Sequence, residues 1–331
     1  MPANLTPQYR EVERKYREAT SLAARIAALQ EMMAVIPKHK GTDHLRGELR
    51  ARMAKHMEEM EKPRAGGPGS GGPQPFNIRK EGAGQVLLIG LTTSGKSELL
   101  NALTGAPAKT GDYRFTTQVP MVGMLPFENV NIQLIDTPSL DYKDIQSQLF
   151  GLLRQSDYVL VVLDLSKDPV KELEEVMGVL DQWGFALLEK GQSLDEDAAK
   201  VQKPATLLAN KADMDEDGAR FQALESACGS RFPILRASCL DGAGLGVMGR
   251  EVFQALGKIR VYTKPPSGKP SMDDPMVVPV GSTVADAAER LHKDWRDKLK
   301  YALLWGSAKF EGQRVGREYV LFDGDVMELH G

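Results

Sequence analysis

Residues Gly90–Ser97 (GLTTSGKS) carry a pattern that can grip a polyphosphate: a glycine, four residues, then Gly95, Lys96 and Ser97. Glycines let backbone N–H groups curl around phosphate oxygens. Thr92, Thr93 and Ser94 fill the loop, and Glu98 falls in the first turn of what reads as a helix, SELLNALTG. A helix start adds the positive end of its dipole. Lys96 supplies a point charge for the β- and γ-phosphates, and the Ser97 hydroxyl suits Mg2+. The apolar run QVLLIG (85–90) just before the loop gives the match its strand–loop–helix setting.

Further groups complete such a site. Asp136 closes the apolar run VNIQLID, and its carboxylate would hold Mg2+ through water. Thr117, in RFTTQ, lies between the helix and the next strand; its hydroxyl would complete the Mg2+ shell and its backbone would sense the γ-phosphate, with Thr116 as the competing candidate. Such loops are ordered by the γ-phosphate and its Mg2+. Asn210, Lys211 and Asp213 (NKAD) follow another apolar run, where ligands of α/β sheets bind. A carboxylate at Asp213 accepts from guanine N1–H and the 2-amino group, a donor pair that adenine lacks. Asn210 would brace the loop and the Lys211 stem would cover the base. Ser238 and Cys239 fit the remaining base-contact loop, with the Cys239 N–H facing guanine O6; the thiol reads as a packing group rather than a nucleophile.

These groups need a sheet to hold them. The runs QVLLIG, VNIQLID, DYVLVVLDL (157–165), ATLLAN (205–210) and FPIL (232–235) alternate with helix-like stretches. Continuous apolar strands are buried on both faces, so residues 78–257 read as a doubly wound α/β domain with a mostly parallel sheet. The polar stretch 189–203 reads as a surface insertion. Residues 1–62 read as a helical hairpin arm: Val12, Tyr16, Ala19, Leu22, Ile26, Leu29 and Met33 mark one long amphipathic helix, PKHKGT breaks it, and Leu45, Leu49, Met53, Met57 and Met60 mark a second. Residues 63–77, with PRAGGPGSGGPQ, read as a flexible linker. In 258–331, strand-like runs surround one helix near 284–292, the pattern of a small α+β domain of the β-grasp type.

Composition narrows the class. Lys and Arg total 42 against 45 Asp and Glu, a net charge of −3. That balance argues against wholesale electrostatic nucleic-acid binding. Two cysteines, Cys228 and Cys239, make no disulfide scaffold and no cysteine zinc site. No apolar run approaches the roughly 20 residues of a membrane span, so a cytoplasmic location is expected. His39, His44, His56, His292 and His330 have no metal-ligand spacing.

Taken with Tyr113–Thr117, the P-loop and NKAD, the C-terminal stretches Ile259–Lys264, Gly281–Val284, His292–Asp294, Leu299–Ala302, Trp305–Ser307, Gly312–Gly316 and Asp323–Val326 resemble the DRG branch of the Obg-type GTPases and its TGS domain. PKHKGTDHLRGELRARMAK is similar to that family's helical lead-in. The resemblance implies a GTPase associated with translation or ribosomes, whose TGS domain contacts RNA or protein. This chain departs from the family pattern in three places. Ser139 replaces the glycine of the family's DxPG. The segment between Asp136 and Asn210 is too short for the family's usual inserted domain. Thr93 stands where relatives stimulated by potassium often carry Asn, so K+ dependence has no support here.

Hydrolysis is expected to be slow. Leu140 follows DTPS where many GTPases place a water-orienting Gln, and leucine cannot position water. Arg114, three residues before Thr117, is a candidate for a cis arginine finger. A nucleotide-binding scaffold with little or no hydrolysis is the alternative. An ATPase or kinase conflicts with NKAD. Arg290, Lys293, Arg296, Lys298 and Lys300, interleaved with Asp294 and Asp297, form either a solvated mixed-charge face or an RNA contact.

Overall fold

The structure is a computed structural model that describes residues 7–19, 22–36, 42–61, 76–106, 119–141, 146–195, 197–266, 268 and 270–331. A seven-stranded sheet runs in the order β2 (Met121–Phe127), β3 (Val130–Asp136), β1 (Gln85–Ile89), β4 (Tyr158–Asp164), β6 (Val201–Asn210), β5 (Phe185–Leu188), with β7 (Ile234–Arg236) also on β6. The pairs β1–β4, β4–β6, β5–β6 and β6–β7 are parallel. Every residue of β4 is buried, as its unbroken apolar run requires of a strand covered on both faces. β6 begins at Val201, so the polar stretch read as 189–203 gives way to strand three residues early.

The chain divides into two compact units: residues 1–79, 86–122 and 135–245, and residues 80–85, 123–134 and 246–331. The first has a core of Leu87, Ile89, Ile135, Val161, Leu163 and Leu207, filled by Phe150, Phe185 and Phe232. The rings of Phe150 and Phe185 meet edge-on with centroids 5.0 Å apart. Helices α4 (Lys96–Thr104), α5 (Gln146–Gln155), α6 (Pro169–Gln182) and α7 (Ala219–Cys228) alternate with the strands. α6 starts where it does because the Asp168 carboxylate accepts from the N–H groups of Val170 and Lys171, with Pro169 preset for the first turn.

The N-terminal arm differs from its sequence reading. The single long helix is two, α1 (Pro7–Glu18) and α2 (Leu22–Val35), so with α3 (Asp43–Glu61) the arm has three helices. Tyr9, Val12, Leu29, Met32, Met33, Ile36 and Leu49 bury one another. Ile26 belongs instead to the main core, Met53 packs against both clusters, and the Arg50 guanidinium donates to Asp197 at 2.6 Å. The arm therefore both closes on itself and docks on the sheet domain. The Gly/Pro-rich stretch 63–74 lies outside the described residues.

In the second unit, a five-stranded sheet is ordered β11 (Gln313–Val315), β10 (Tyr301–Trp305), β12 (Asp325–His330), β8 (Lys258–Thr263), β9 (Met276–Pro279). β8 and β12 are parallel, and the other pairs are antiparallel. Period-two alternation buries Ala302 and Leu304 of β10 against α9 (Val284–Leu291), whose Val284, Ala287 and Ala288 share their core; the short helix α10 (Trp295–Lys298) follows. A capping box opens α9: Thr283 N–H donates to the Asp286 carboxylate at 2.8 Å, and Asp286 N–H donates back to Thr283 Oγ1 at 3.3 Å. These strands around one helix match the α+β pattern read for 258–331.

The same unit holds α8 (Met248–Ala255) and the turn between β2 and β3. Arg260 on β8 is 9% exposed. Its guanidinium forks onto Asp323, reaches Glu128 in that turn, and lies over the rings of Phe127 and Phe253 at 5.5 and 5.6 Å. Asn129 donates to Tyr262 Oη and to the Met272 carbonyl.

Candidate nucleotide-binding site

Five strand ends of one sheet edge supply the site. β1 runs into Gly90–Gly95 and then α4; β3 ends at Asp136, β4 at Asp164, β6 at Asn210, and β7 leads to Ser238. This is the carboxyl edge at which ligands of parallel sheets bind.

The loop is shaped around contacts that leave no room for larger residues. Gly95 has φ 90°, and a Cβ there would stand 2.2 Å from Asn210 Nδ2. Asn210 in turn donates to the Ser94 carbonyl at 3.0 Å, so the loop after β6 braces the loop after β1. Lys211 donates to the Thr93 carbonyl at 2.8 Å and to Asp164 at 2.6 Å. Thr93 and Lys211 both have left-handed backbones, at φ 68° and 59°. For a β-branched residue that conformation is uncommon, and the Lys211 contact helps to hold it.

Lys96 is buried, and its ammonium donates to the carbonyls of Gly90 at 3.2 Å and Leu91 at 2.9 Å. Burial pulls its pKa down to about 8, against the opposing pull of Asp136 and Asp141. Ser97 Oγ lies 2.5 Å from Asp136 Oδ2. Burial raises the Asp136 pKa, while Ser97 and Lys96 work to lower it. Its second oxygen, Oδ1, is buried without a hydrogen-bond partner among the described residues. A hard-oxygen pair with an unsatisfied carboxylate oxygen fits the donor chemistry of Mg2+.

Ser238 Oγ, after β7, donates to Asp213 Oδ1, after β6, at 2.6 Å, fixing the carboxylate and leaving it further acceptor capacity. Cys239 Sγ lies 3.4 Å from Asn210 Oδ1. Burial pushes the thiol up to about 11. Glu98 is exposed on the first turn of α4. Thr117, Thr116 and Arg114 fall in 107–118, outside the described residues.

Three groups escaped the sequence reading. Asp164, fully buried, is held ionised: burial raises its pKa, but the Lys211 ammonium and Ser166 bring it below the ordinary carboxylate range. Lys167 donates to Thr93 Oγ1 at 3.0 Å. The Asp141 carboxylate accepts from Thr92 Oγ1 at 2.7 Å and from Ser139 Oγ. Asp164 ends a strand as Asp136 does, and that parallel was the available signal. Leu140 is 1% exposed and belongs to the core. Of the C-terminal basic residues, Lys298 pairs with Asp294 at 3.3 Å, and both sit in a concave surface with His292, Trp295 and Lys300.

The family described as 50S ribosome-binding GTPase matches residues 85–211, and the TGS domain matches residues 259–330. The chain is 27% identical to developmentally-regulated G-protein 3 of Arabidopsis thaliana, covering 94% of this chain and 99% of that one. It is 26% identical to developmentally-regulated GTP-binding protein 1 of Xenopus laevis, over 92% of this chain and 98% of the relative. A solved GTP-binding protein from Pyrococcus horikoshii shares the fold at TM-score 0.51 and 19% identity, covering 74% of this chain and 99% of that chain. Among the described residues, no helix is long and apolar enough to cross a membrane.

Proposed function

Because the chain is a GTP-binding protein of the developmentally regulated family, with a P-loop GTPase domain and a C-terminal TGS domain, we propose that it is a slow, Mg2+-dependent GTPase acting as a cytoplasmic, ribosome-linked switch. The observation that carries the reading is the meeting of Lys96, Ser97, Asp136, Asn210, Lys211 and Asp213 at one sheet edge. Residues 78–257 would form the nucleotide domain and 258–331 the partner-contacting domain, with 1–62 as an arm.

In this reading the amides of Gly90–Gly95 and the Lys96 ammonium hold the phosphates. Ser97, Asp136 through water and Thr117 would hold Mg2+, which would neutralise charge on the β- and γ-oxygens. Asp213 selects guanine, with Ser238, Cys239 and the Lys211 stem closing around the base. Arg114 could add a cation at the γ-phosphate. No role is proposed for K+: the Thr93 hydroxyl already accepts from the Lys167 ammonium. Slowness follows from Leu140, whose burial keeps it from ordering water, so turnover at or below roughly 10⁻⁴–10⁻² s⁻¹ is expected.

A scaffold that binds GTP without hydrolysing it is the second reading, favoured by the buried Leu140 and by Ser139. Phosphate release compared with Lys96→Ala decides between them: the switch shows Lys96-dependent turnover, and the scaffold shows none. The partner is tested by co-sedimentation with ribosomes. The switch reading expects retention to differ between GDP and a non-hydrolysable GTP analogue, and equal or absent retention rejects it.

A further inference from the structure

Leu140 turns into the core, so the position that commonly orders the attacking water offers no polar group there. The next residue does. Residues 139–141 lie across the first residue of the phosphate loop: the Leu140 N–H donates to the Gly90 carbonyl at 3.3 Å, and Ser139 Oγ approaches the same oxygen at 3.3 Å. From there the exposed Asp141 carboxylate reaches over the loop to Thr92 Oγ1, at 2.7 Å. The Lys96 ammonium rests on the carbonyls of Gly90 and Leu91, so it meets the same Gly90 oxygen that Ser139 and Leu140 contact. A P-loop lysine marks the β/γ end of the nucleotide, so this carboxylate stands at the γ end.

Resting on the GTPase reading, we propose that Asp141 orients the attacking water in place of the missing glutamine. A carboxylate has about four acceptor positions, and the hydroxyls of Thr92 and Ser139 occupy two. The others can accept from a water whose oxygen lone pair then points at phosphorus. Ser139 thereby gains a purpose: a glycine at that position could not fix the carboxylate. Partial burial acts to raise the Asp141 pKa, but the hydrogen bonds from Ser139 and Thr92 outweigh it and keep the group ionised and an acceptor. In the step itself, a bond forms between the water oxygen and the γ-phosphorus. The bond from that phosphorus to the β–γ bridging oxygen breaks, GDP leaves with the electron pair, and the water proton passes to an oxygen of the released phosphate. Asp141 steers the water and ends the cycle unchanged.

The test is single-turnover hydrolysis of radiolabelled GTP with Mg2+, run beside equilibrium titration of a fluorescent GTP analogue, for wild type, Lys96→Ala, Asp141→Asn and Asp141→Glu. The expected result is a fall of about 100-fold in the Asp141→Asn rate, the scale of one positioned polar group, with nucleotide affinity unchanged and part of the rate restored by Asp141→Glu. A wild-type rate in Asp141→Asn overturns the proposal. So does a rise in GTP affinity at unchanged rate, which would mark the Asp141–Thr92 contact as a latch displaced by nucleotide. Wild-type protein no faster than Lys96→Ala rejects the hydrolysis reading itself, and the Asp141 role with it.

Discussion

At the scale of single residues, base choice is the sharpest question the site poses. Asp213 is held by Ser238 at 2.6 Å, so its orientation is set before any nucleotide arrives. Asp213→Asn exchanges one acceptor oxygen for a donor, which suits the xanthine carbonyl and opposes the guanine amino group. GTP affinity should fall by at least about 100-fold while XTP affinity rises. Competition titration with both nucleotides reads this directly, and unchanged GTP affinity would remove Asp213 from the role. Residues that sit in contiguous motifs, such as Gly95–Ser97 and Asn210–Asp213, were legible in the sequence because their chemistry is local in the chain. Asp164 and Asp141 were not: each acquires meaning through a partner from elsewhere, Lys211 for one and Thr92 for the other.

At the scale of elements, periodicity found the apolar stripes and missed a break. Tyr16, Ala19, Leu22 and Ile26 keep helical spacing across the junction of α1 and α2, so the stripe alone cannot report that the backbone stops and restarts. Thr20–Ser21, a pair suited to capping a helix start, was the available clue. Strands were read more reliably, since β1, β4 and β6 are buried on both faces and leave no competing pattern. The capping box of α9 allows a measurement. Removing the hydroxyl in Thr283→Ala should cost about 1 kcal/mol in the TGS unfolding transition. The backbone and side chain of Thr283 hold the Asp286 carboxyl below its usual range. A carboxylate lowered on folding contributes stability above its unfolded pKa, and the contribution disappears as pH falls through the folded value. The stability gap between wild type and Asp286→Asn should therefore be full at neutral pH and shrink below about pH 4. A gap that stays constant down to pH 2 in urea titrations would contradict the assignment.

At the scale of the molecule, sequence similarity and packing draw different lines. The TGS match starts at residue 259, yet the compact unit that contains it also claims residues 80–85, 123–134 and 246–258. The boundary was invisible in the sequence because the shift to a new pattern near Lys258 is local, while the attachment of the β2–β3 turn is long-range. Arg260 is what makes the attachment. Its guanidinium lies over the rings of Phe127 and Phe253, which pack on each other with centroids 5.1 Å apart, and answers the charges of Glu128 and Asp323. Anyone dissecting this protein for crystallography or binding work should expect scissors placed at residue 257 to cut through a packed interior. The shortened chain would bare two phenylalanine rings that now lie under a guanidinium, and should self-associate more than the intact chain on a sizing column.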